Sequence, residues 1–300
     1  MPRGRETGGN IGHFVDGRRQ HFVDIYDDAM AHLPPFDAET DVPTAFGRVR
    51  VYRFGGPSQN TPVVLLPGRN ASTPMWRANL AGWRARRTVY SLDLLGEAGM
   101  SVQTRPVTGA QDQARWLEEV LAGLDLRRVH LLGVSIGGWA AVNHAVRFPA
   151  RVASLTLLDP VFTFARIPLR TLAVSAVMAI PGAPQRVRRW FLGWVSGGAD
   201  VDDALPEARL IDAAMADFVL RLPPPRMVTD DQLRGLSPPV LAFLGGRSVM
   251  LDAHRAARRA RTLVPHAQVQ VYRDASHAIN GEYADEIADH AHRFWDAVDS

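Results

Sequence analysis

An α/β fold built on a mostly parallel sheet is the class this 300-residue sequence predicts, and three observations carry the prediction. Runs rich in aliphatic and β-branched residues recur at 48–54, 62–67, 88–93, 128–134, 153–159, 239–245 and 267–273. Most are apolar on both faces, as strands covered by helices on each side should be. Stretches with helical spacing separate them, at 74–84, 110–123, 137–147, 252–263 and 283–298, so crossover connections are expected. The alternation breaks once, between Asp159 and Pro239, where no convincing strand occurs. A structureless loop of that length does not suit a compact domain, so a helical insertion is expected there.

Taken in order, the first dozen residues are rich in Gly and Arg and have little to bury, which predicts disorder. Phe22, Ile25, Tyr26 and Met30 give 20–32 a helical stripe, and Pro34-Pro35 stops it. The strands RVRVYRF and PVVLLP follow, the second closed by Pro67-Gly68. The run RVHLLGV ends at a serine between glycines, and the helical GGWAAVNHAVRF starts at once. Within the break, helical segments are expected near 163–180, 185–195 and 203–221, before the breaker LPPPR at 222–226. Asp252 stands directly before the helical AHRAARRAR and reads as its N-cap. The expected organisation is an N-terminal extension with one helix (1–40), an α/β core (41–160 and 237–300) and a helical cap (161–236). The cap is inserted after one strand and before the next, over the carboxyl edge of the sheet, where α/β folds bind ligands.

Composition narrows the function classes. All 34 basic residues are arginine, against 31 acids, for a net charge of +3. So small a charge argues against a dedicated nucleic-acid binder. Cysteine is absent, which excludes disulfides, thiolate metal sites and a cysteine nucleophile. The N-terminus shows no continuous apolar h-region. The most apolar stretch, 161–180, is interrupted by Arg166, Pro168 and Arg170, so a membrane span is not expected. A cytoplasmic protein without membrane insertion follows as the expectation.

Gly133-Val134-Ser135-Ile136-Gly137 fits G-x-S-x-G. A serine at a sharp strand-to-helix turn needs strained dihedrals, and the flanking glycines let neighbouring chain pass close. The helix after it offers its first N–H groups to a developing oxyanion. With VVLLPG at 63–68, SLDLLGEAGMS at 91–101 and DASHAIN at 274–280 in the same order, the chain resembles the α/β-hydrolase superfamily, in its capped carboxylesterase-like branch. The resemblance runs from about residue 42 to 296. It implies the α/β-hydrolase fold, a mostly parallel central sheet flanked by helices with a helical cap, and acyl transfer without a cofactor.

The same resemblance assigns Ser135 as nucleophile and His277, on the loop after the last strand, as base. An imidazole titrates near neutrality and can take and return the serine proton. The backbone N–H groups of Ile136 and Arg69 are the implied oxyanion donors. The Arg69 side chain either points to solvent or orients an acidic or carbonyl-bearing substrate. The acid departs from the pattern, because Ser248 occupies its usual place in Leu244-Gly245-Gly246-Arg247-Ser248. The family's second location offers Asp159, followed by Pro160; Asp252 is a further option, and a site with no carboxylate is the third. No spacing suited to metal ligands is present.

A serine hydrolase is therefore expected, cleaving a small apolar or aromatic carboxylic ester, lactone or thioester. Trp139, Phe162, Trp190, Phe191 and Trp194 are the candidate substrate-binding residues. Two alternatives rest on the altered acid loop. One is a carbon–carbon bond hydrolase or a cyclisation or rearrangement catalyst; the other is a non-catalytic small-molecule binding protein on the same fold. Substrate identity and oligomeric state are not legible.

Overall fold

A computed structural model describes residues 10–56, 59–178, 184–198 and 205–300. In chain order the elements are β1 (His13–Phe14), α1 (Arg19–Ala31), β2 (Ala38–Thr44), β3 (Gly47–Phe54) and β4 (Val63–Leu66). A 3-10 turn (Thr73–Trp76) precedes α2 (Leu80–Arg84), β5 (Val89–Leu92), β6 (Val102–Gln103) and α3 (Ala110–Gly123), and a second 3-10 turn lies at Pro149–Arg151. Then come β7 (Val129–Val134), α4 (Ile136–Arg147), β8 (Val152–Leu158), α5 (Leu169–Met178), α6 (Gln185–Val195) and α7 (Pro206–Asp217). The chain closes with β9 (Phe218–Val219), α8 (Asp230–Arg234), β10 (Val240–Gly245), α9 (Ala253–Leu263), β11 (Gln268–Tyr272), α10 (Ile279–Glu282) and α11 (Ala284–Asp299).

Among the described residues nine strands form one sheet, in the order β11-β10-β8-β7-β4-β5-β3-β2, with β6 against β3. Pairing from β11 to β5 is parallel throughout, and β3, β2 and β6 add antiparallel partners. The carboxyl ends of β4, β7, β8, β10 and β11 thus share one edge. Alternate residues of each central strand feed opposite layers. Val64 and Leu66 pack with Trp116 and Leu117 of α3, Ala141 of α4 and Ala256 of α9. Val63 and Leu65 join Phe22 and Tyr26 of α1, Trp83 of α2 and Trp295 of α11 on the other face.

All seven expected strands are present within one residue or so of their expected ends. The sequence reading did not expect β2. Its AETDVPT buries only Val42, and Pro43 is tolerated because β2 lies at the sheet's edge. The helix expected at 74–84 is divided into the 3-10 turn and α2. The one expected at 163–180 starts at Leu169, after Phe162 turns the backbone at φ 52° and Pro168 disfavours helix before it. Its end at 179–180 lies outside the described residues, as do the start of the one expected at 203–221 and residues 1–9 of the segment expected to be disordered.

Among the described residues between β8 and β10, the regular elements are the helices α5 to α8 and the two-residue β9. The N-terminal segment braces them. β1 pairs with β9, matching His13 with Val219 and Phe14 with Phe218, while α1 packs on α7. His21 Nδ1 stands 2.5 Å from Oδ2 of the buried Asp217, at the end of α7. Among the described residues, no helix is long and apolar enough to cross a membrane.

At the opposite edge of the sheet α11 is pinned by a buried cation. Arg87 donates to Asp299 at 2.5 Å, Asp296 at 2.7 Å and the Thr61 carbonyl at 3.0 Å. His130, on β7, bonds Ser154 Oγ at 2.8 Å, stands 3.3 Å from Asp299, and stacks on Trp295. Burial, with the Arg87 charge alongside, pushes its imidazole down to about 4, against the pull of Asp299. Burial likewise lowers His144 and His292. The folded chain holds His130 neutral, whereas the unfolded chain protonates it near its ordinary value of about 6.5. Its contribution is complete above that value and is lost as the pH falls toward 4, on the order of 3 kcal/mol at the limit. The urea midpoint should therefore fall on acidification from pH 7 to 4, with a shallower slope in His130→Gln. A pH-independent midpoint over that range would contradict the assignment.

Candidate active site

The turn after β7 is the tightest piece of backbone at this edge. Ser135 adopts φ 55° and ψ −119°, a conformation that costs a non-glycine residue about 1–3 kcal/mol. The surrounding chain holds it there. Its N–H donates to the Leu158 carbonyl at 3.0 Å, and its carbonyl accepts from Trp139 at 3.2 Å and Val161 at 3.3 Å. The two glycines are required by contact. A Cβ on Gly137 would come within 2.5 Å of the Pro67 carbonyl oxygen and closer to that of Leu66. One on Gly133 would lie 2.6 Å from the Gly138 nitrogen. Ile136 opens α4, so its N–H is one of the helix's first donors without an intrahelical acceptor.

The end of β4 runs beside this turn: a Cβ built on Gly68 would sit 3.6 Å from the Ser135 Cβ. The next residues curl over, with Asn70 at φ 57° and the Ala71 N–H bonded to the Gly68 carbonyl at 3.2 Å. Arg69 does not simply enter solvent. Its Nη2 lies 3.6 Å from Oε1 of Glu97, a carboxylate that is itself buried. Burial raises the Glu97 carboxyl, and the Arg69 charge opposes that rise. The Asn70 N–H reaches the same carboxylate at 3.5 Å, so Glu97 anchors the loop after β4 from beneath. Sequence reasoning missed this residue; its signal was a second acid, after Asp93, within SLDLLGEAGMS.

The structure brings one of the two candidate carboxylates, Asp159, to His277. Asp159 follows β8, is fully buried, and accepts three hydrogen bonds from the ends of other strands. Oδ1 accepts the Gly245 N–H at 2.9 Å. Oδ2 accepts the Ser248 hydroxyl at 2.6 Å and faces His277 Nδ1 at 2.5 Å. The hydroxyl found where an acid was expected thus donates to the carboxylate that has taken that place. Asp252 is elsewhere employed: its carboxylate accepts the Arg255 N–H at 2.9 Å and caps α9.

The His277 loop is fastened by a contact the sequence did not reveal. Glu282, in the short α10, accepts the Ser276 N–H at 2.8 Å and the Ser276 hydroxyl at 2.6 Å. From above, Gly197 after α6 packs on Ser276, and Arg247 donates to the Gly197 carbonyl at 2.6 Å.

A narrow cleft of about 20 Å³, roughly one water's worth, opens beside Ile136. Its walls include Arg69, Leu95, Ile136, Trp139, Leu222 and Pro223. Trp139 closes one side by donating its Nε1–H to the Arg226 carbonyl at 2.8 Å, which ties α4 to the breaker segment. Of the candidate substrate-binding residues only Trp139 borders this cleft. Phe162 packs against the core, and Trp190, Phe191 and Trp194 stand on α6, where Trp190 is 57% exposed. Among the described residues no three His, Asp or Glu side chains converge as metal ligands.

Comparison with known proteins agrees with this architecture. The model of the alpha/beta hydrolase family matches residues 63–290. Carboxylesterase nap of Bacillus subtilis is 28% identical over 282 residues, covering 92% of each chain. Carboxylesterase YbfK of the same organism is 27% identical over 272 residues, covering 89% of this chain and 90% of its own. The crystal structure of naproxen esterase from Bacillus subtilis superposes with a TM-score of 0.85 at 25% identity, covering 94% of this chain and 99% of that one.

The crowding at Gly137 yields a direct test. Gly137→Ala should lower stability by at least about 3 kcal/mol in urea denaturation, because the added methyl meets backbone rather than a movable side chain. A variant as stable as the parent would mean that β4 and α4 do not approach this closely.

Proposed function

The chain belongs to the α/β-hydrolase family, and from that premise we propose that it hydrolyses a carboxylic ester through an acyl-enzyme on Ser135. The observation that carries the proposal is the hydrogen bond that His277 Nδ1 makes to the buried Asp159 carboxylate, one residue past the Leu158 carbonyl that holds the N–H of Ser135 at positive φ. With Nδ1–H directed at Asp159, the His277 lone pair is on Nε2, the nitrogen that accepts the serine proton. Ser135 Oγ attacks the substrate carbonyl, and the proton passes to Nε2. The oxyanion so formed accepts from the Ile136 and Arg69 backbone N–H groups. Collapse breaks the ester C–O bond, and the imidazolium returns its proton to the departing alcohol. A water molecule then repeats the sequence on the acyl group, releasing the acid and restoring the serine.

Asp159 serves by orientation and charge. It fixes the imidazole's tautomer and stabilises the imidazolium, a task for which the Ser248 hydroxyl alone is insufficient. The segment 161–236 is proposed as a cap on the core of 41–160 and 237–300. Leu95, Trp139, Leu222 and Pro223 give an apolar wall beside Ile136, which supports an apolar or aromatic substrate of modest size, whether ester, lactone or thioester, although the cleft they border holds about one water. The names of the relatives, both carboxylesterases, support a carboxylic ester as the bond cleaved. A cytoplasmic setting is part of the same proposal. With a carboxylate at His277, the carbon–carbon hydrolase and the non-catalytic binding protein no longer have a missing acid in their favour.

A fluorophosphonate probe should label the protein at Ser135, and Ser135→Ala should abolish both labelling and p-nitrophenyl butyrate hydrolysis. Asp159→Asn should lower kcat by roughly 10⁴-fold, and Ser248→Ala by about tenfold, since it leaves the carboxylate in place. Asp252→Ala should keep turnover within about twofold while losing about 1 kcal/mol of stability with its cap. Full activity in Ser135→Ala, or an Asp252 variant more impaired than the Asp159 variant, would overturn the proposal.

A further inference from the structure

The insertion carries a surface that hydrolysis does not explain. From Pro160 to Ala199 the sequence has five arginines and no aspartate or glutamate. Four of the large hydrophobic side chains exposed among the described residues lie in the insertion: Leu169 at 84%, Trp190 at 57%, Leu172 at 40% and Leu205 at 39%. On α5, Leu169, Leu172 and Ala173 point outward at helical i, i+3, i+4 spacing. The opposite side of that helix is anchored by the buried Thr171, whose hydroxyl donates to the Val249 carbonyl at 2.6 Å. On α6, which packs on α5, Gln185, Arg186 and Arg189 form the exposed face, with Trp190 at its apolar border. Trp190 stacks on Trp194 with ring centroids 5.9 Å apart and planes 3° from parallel.

The cations here are available. Arg188 is occupied by Asp212 at 2.8 and 2.9 Å, but Arg166, Arg170 and Arg186 make no ion pair among the described residues. These three guanidinium groups, with the protruding leucines and tryptophan, fit an interface that is anionic at its top and apolar just beneath. A water-soluble anionic protein would meet the arginines but leave the leucines unsatisfied. A second copy of this face would set arginine against arginine.

We propose that the α5–α6 face docks on an anionic phospholipid bilayer, with the arginines at the headgroups and Leu169, Leu172 and Trp190 in the acyl boundary. The docking is peripheral, without a spanning segment. It does not rest on the serine chemistry. It does set the reacting edge toward the lipid, because Gly197, just past α6, lies against Ser276, the neighbour of His277.

The test is cosedimentation of the whole chain with vesicles in about 0.1 M NaCl, where charges within ~10 Å still act. Vesicles of equimolar phosphatidylglycerol and phosphatidylcholine should bind the protein at least ~10-fold more tightly than phosphatidylcholine alone, with a blue shift of tryptophan emission. Arg166→Ser/Arg170→Ser/Arg186→Ser should weaken that binding by at least ~10-fold, and Leu169→Ser/Leu172→Ser by roughly as much. Both variants should hydrolyse a soluble short-chain ester, and melt, as the parent does. Ser135→Ala should bind vesicles like the parent, which separates this inference from the proposed reaction. A parent protein that stays in the supernatant with anionic vesicles overturns the proposal. So does a concentration-dependent dimer, dissolved by Leu169→Ser/Leu172→Ser, in a protein that ignores vesicles.

Discussion

Burying the Asp159 carboxylate is the constraint around which the carboxyl edge of the sheet is arranged. A charge removed from water is costly unless donors replace the solvent it has lost. Here the donors come from two separate stretches of chain: the Gly245 N–H and the Ser248 hydroxyl at the end of β10, and His277 after β11. Each is within reach only because β8, β10 and β11 are parallel neighbours whose ends align. The satisfaction of one side chain therefore presupposes strand order, register and two loop conformations together.

Close backbone passage at β4 and α4 is the complementary constraint. Gly133 and Gly137 remove the side chains that would hold these segments apart, and the gain is a serine presented at the helix entrance. Glu97 and Glu282 then fix the flexible connections that approach it, one below Arg69 and Asn70, the other beneath Ser276. Both carboxylates are bound to loops rather than to regular elements. Irregular backbone, which has no ladder to satisfy it, is where side-chain acceptors have most to contribute.

Much of this was legible from residue order. The central strands are fully covered, so their apolar runs stood out, and α3 and α9 matched their expected spans closely because their stripes are strongly periodic. The serine turn carried its own glycine signature. Legibility failed where long-range partners decide the outcome. β2 buries one residue and is defined by pairing with β3. β1 and β9, two residues each, exist only through each other. The choice between Asp159 and Asp252 turned on which carboxylate the last loop would meet, a distance between residues 118 positions apart in sequence. The aromatic residues of α6 suggested a pocket by type alone. Their helix instead leaves Trp190 largely in water, because α5 and α7 cover only its inner side.

The left-handed twist at residue 135 also restricts what evolution can try there. A branched β-carbon is disfavoured at positive φ, so threonine is shut out even though its hydroxyl is chemically competent. Residues with a single heavy atom attached to Cβ, such as cysteine, aspartate and asparagine, fit the same backbone. Changes of reaction type are thus a short mutational step from this scaffold, while the most conservative-looking hydroxyl exchange is blocked by geometry.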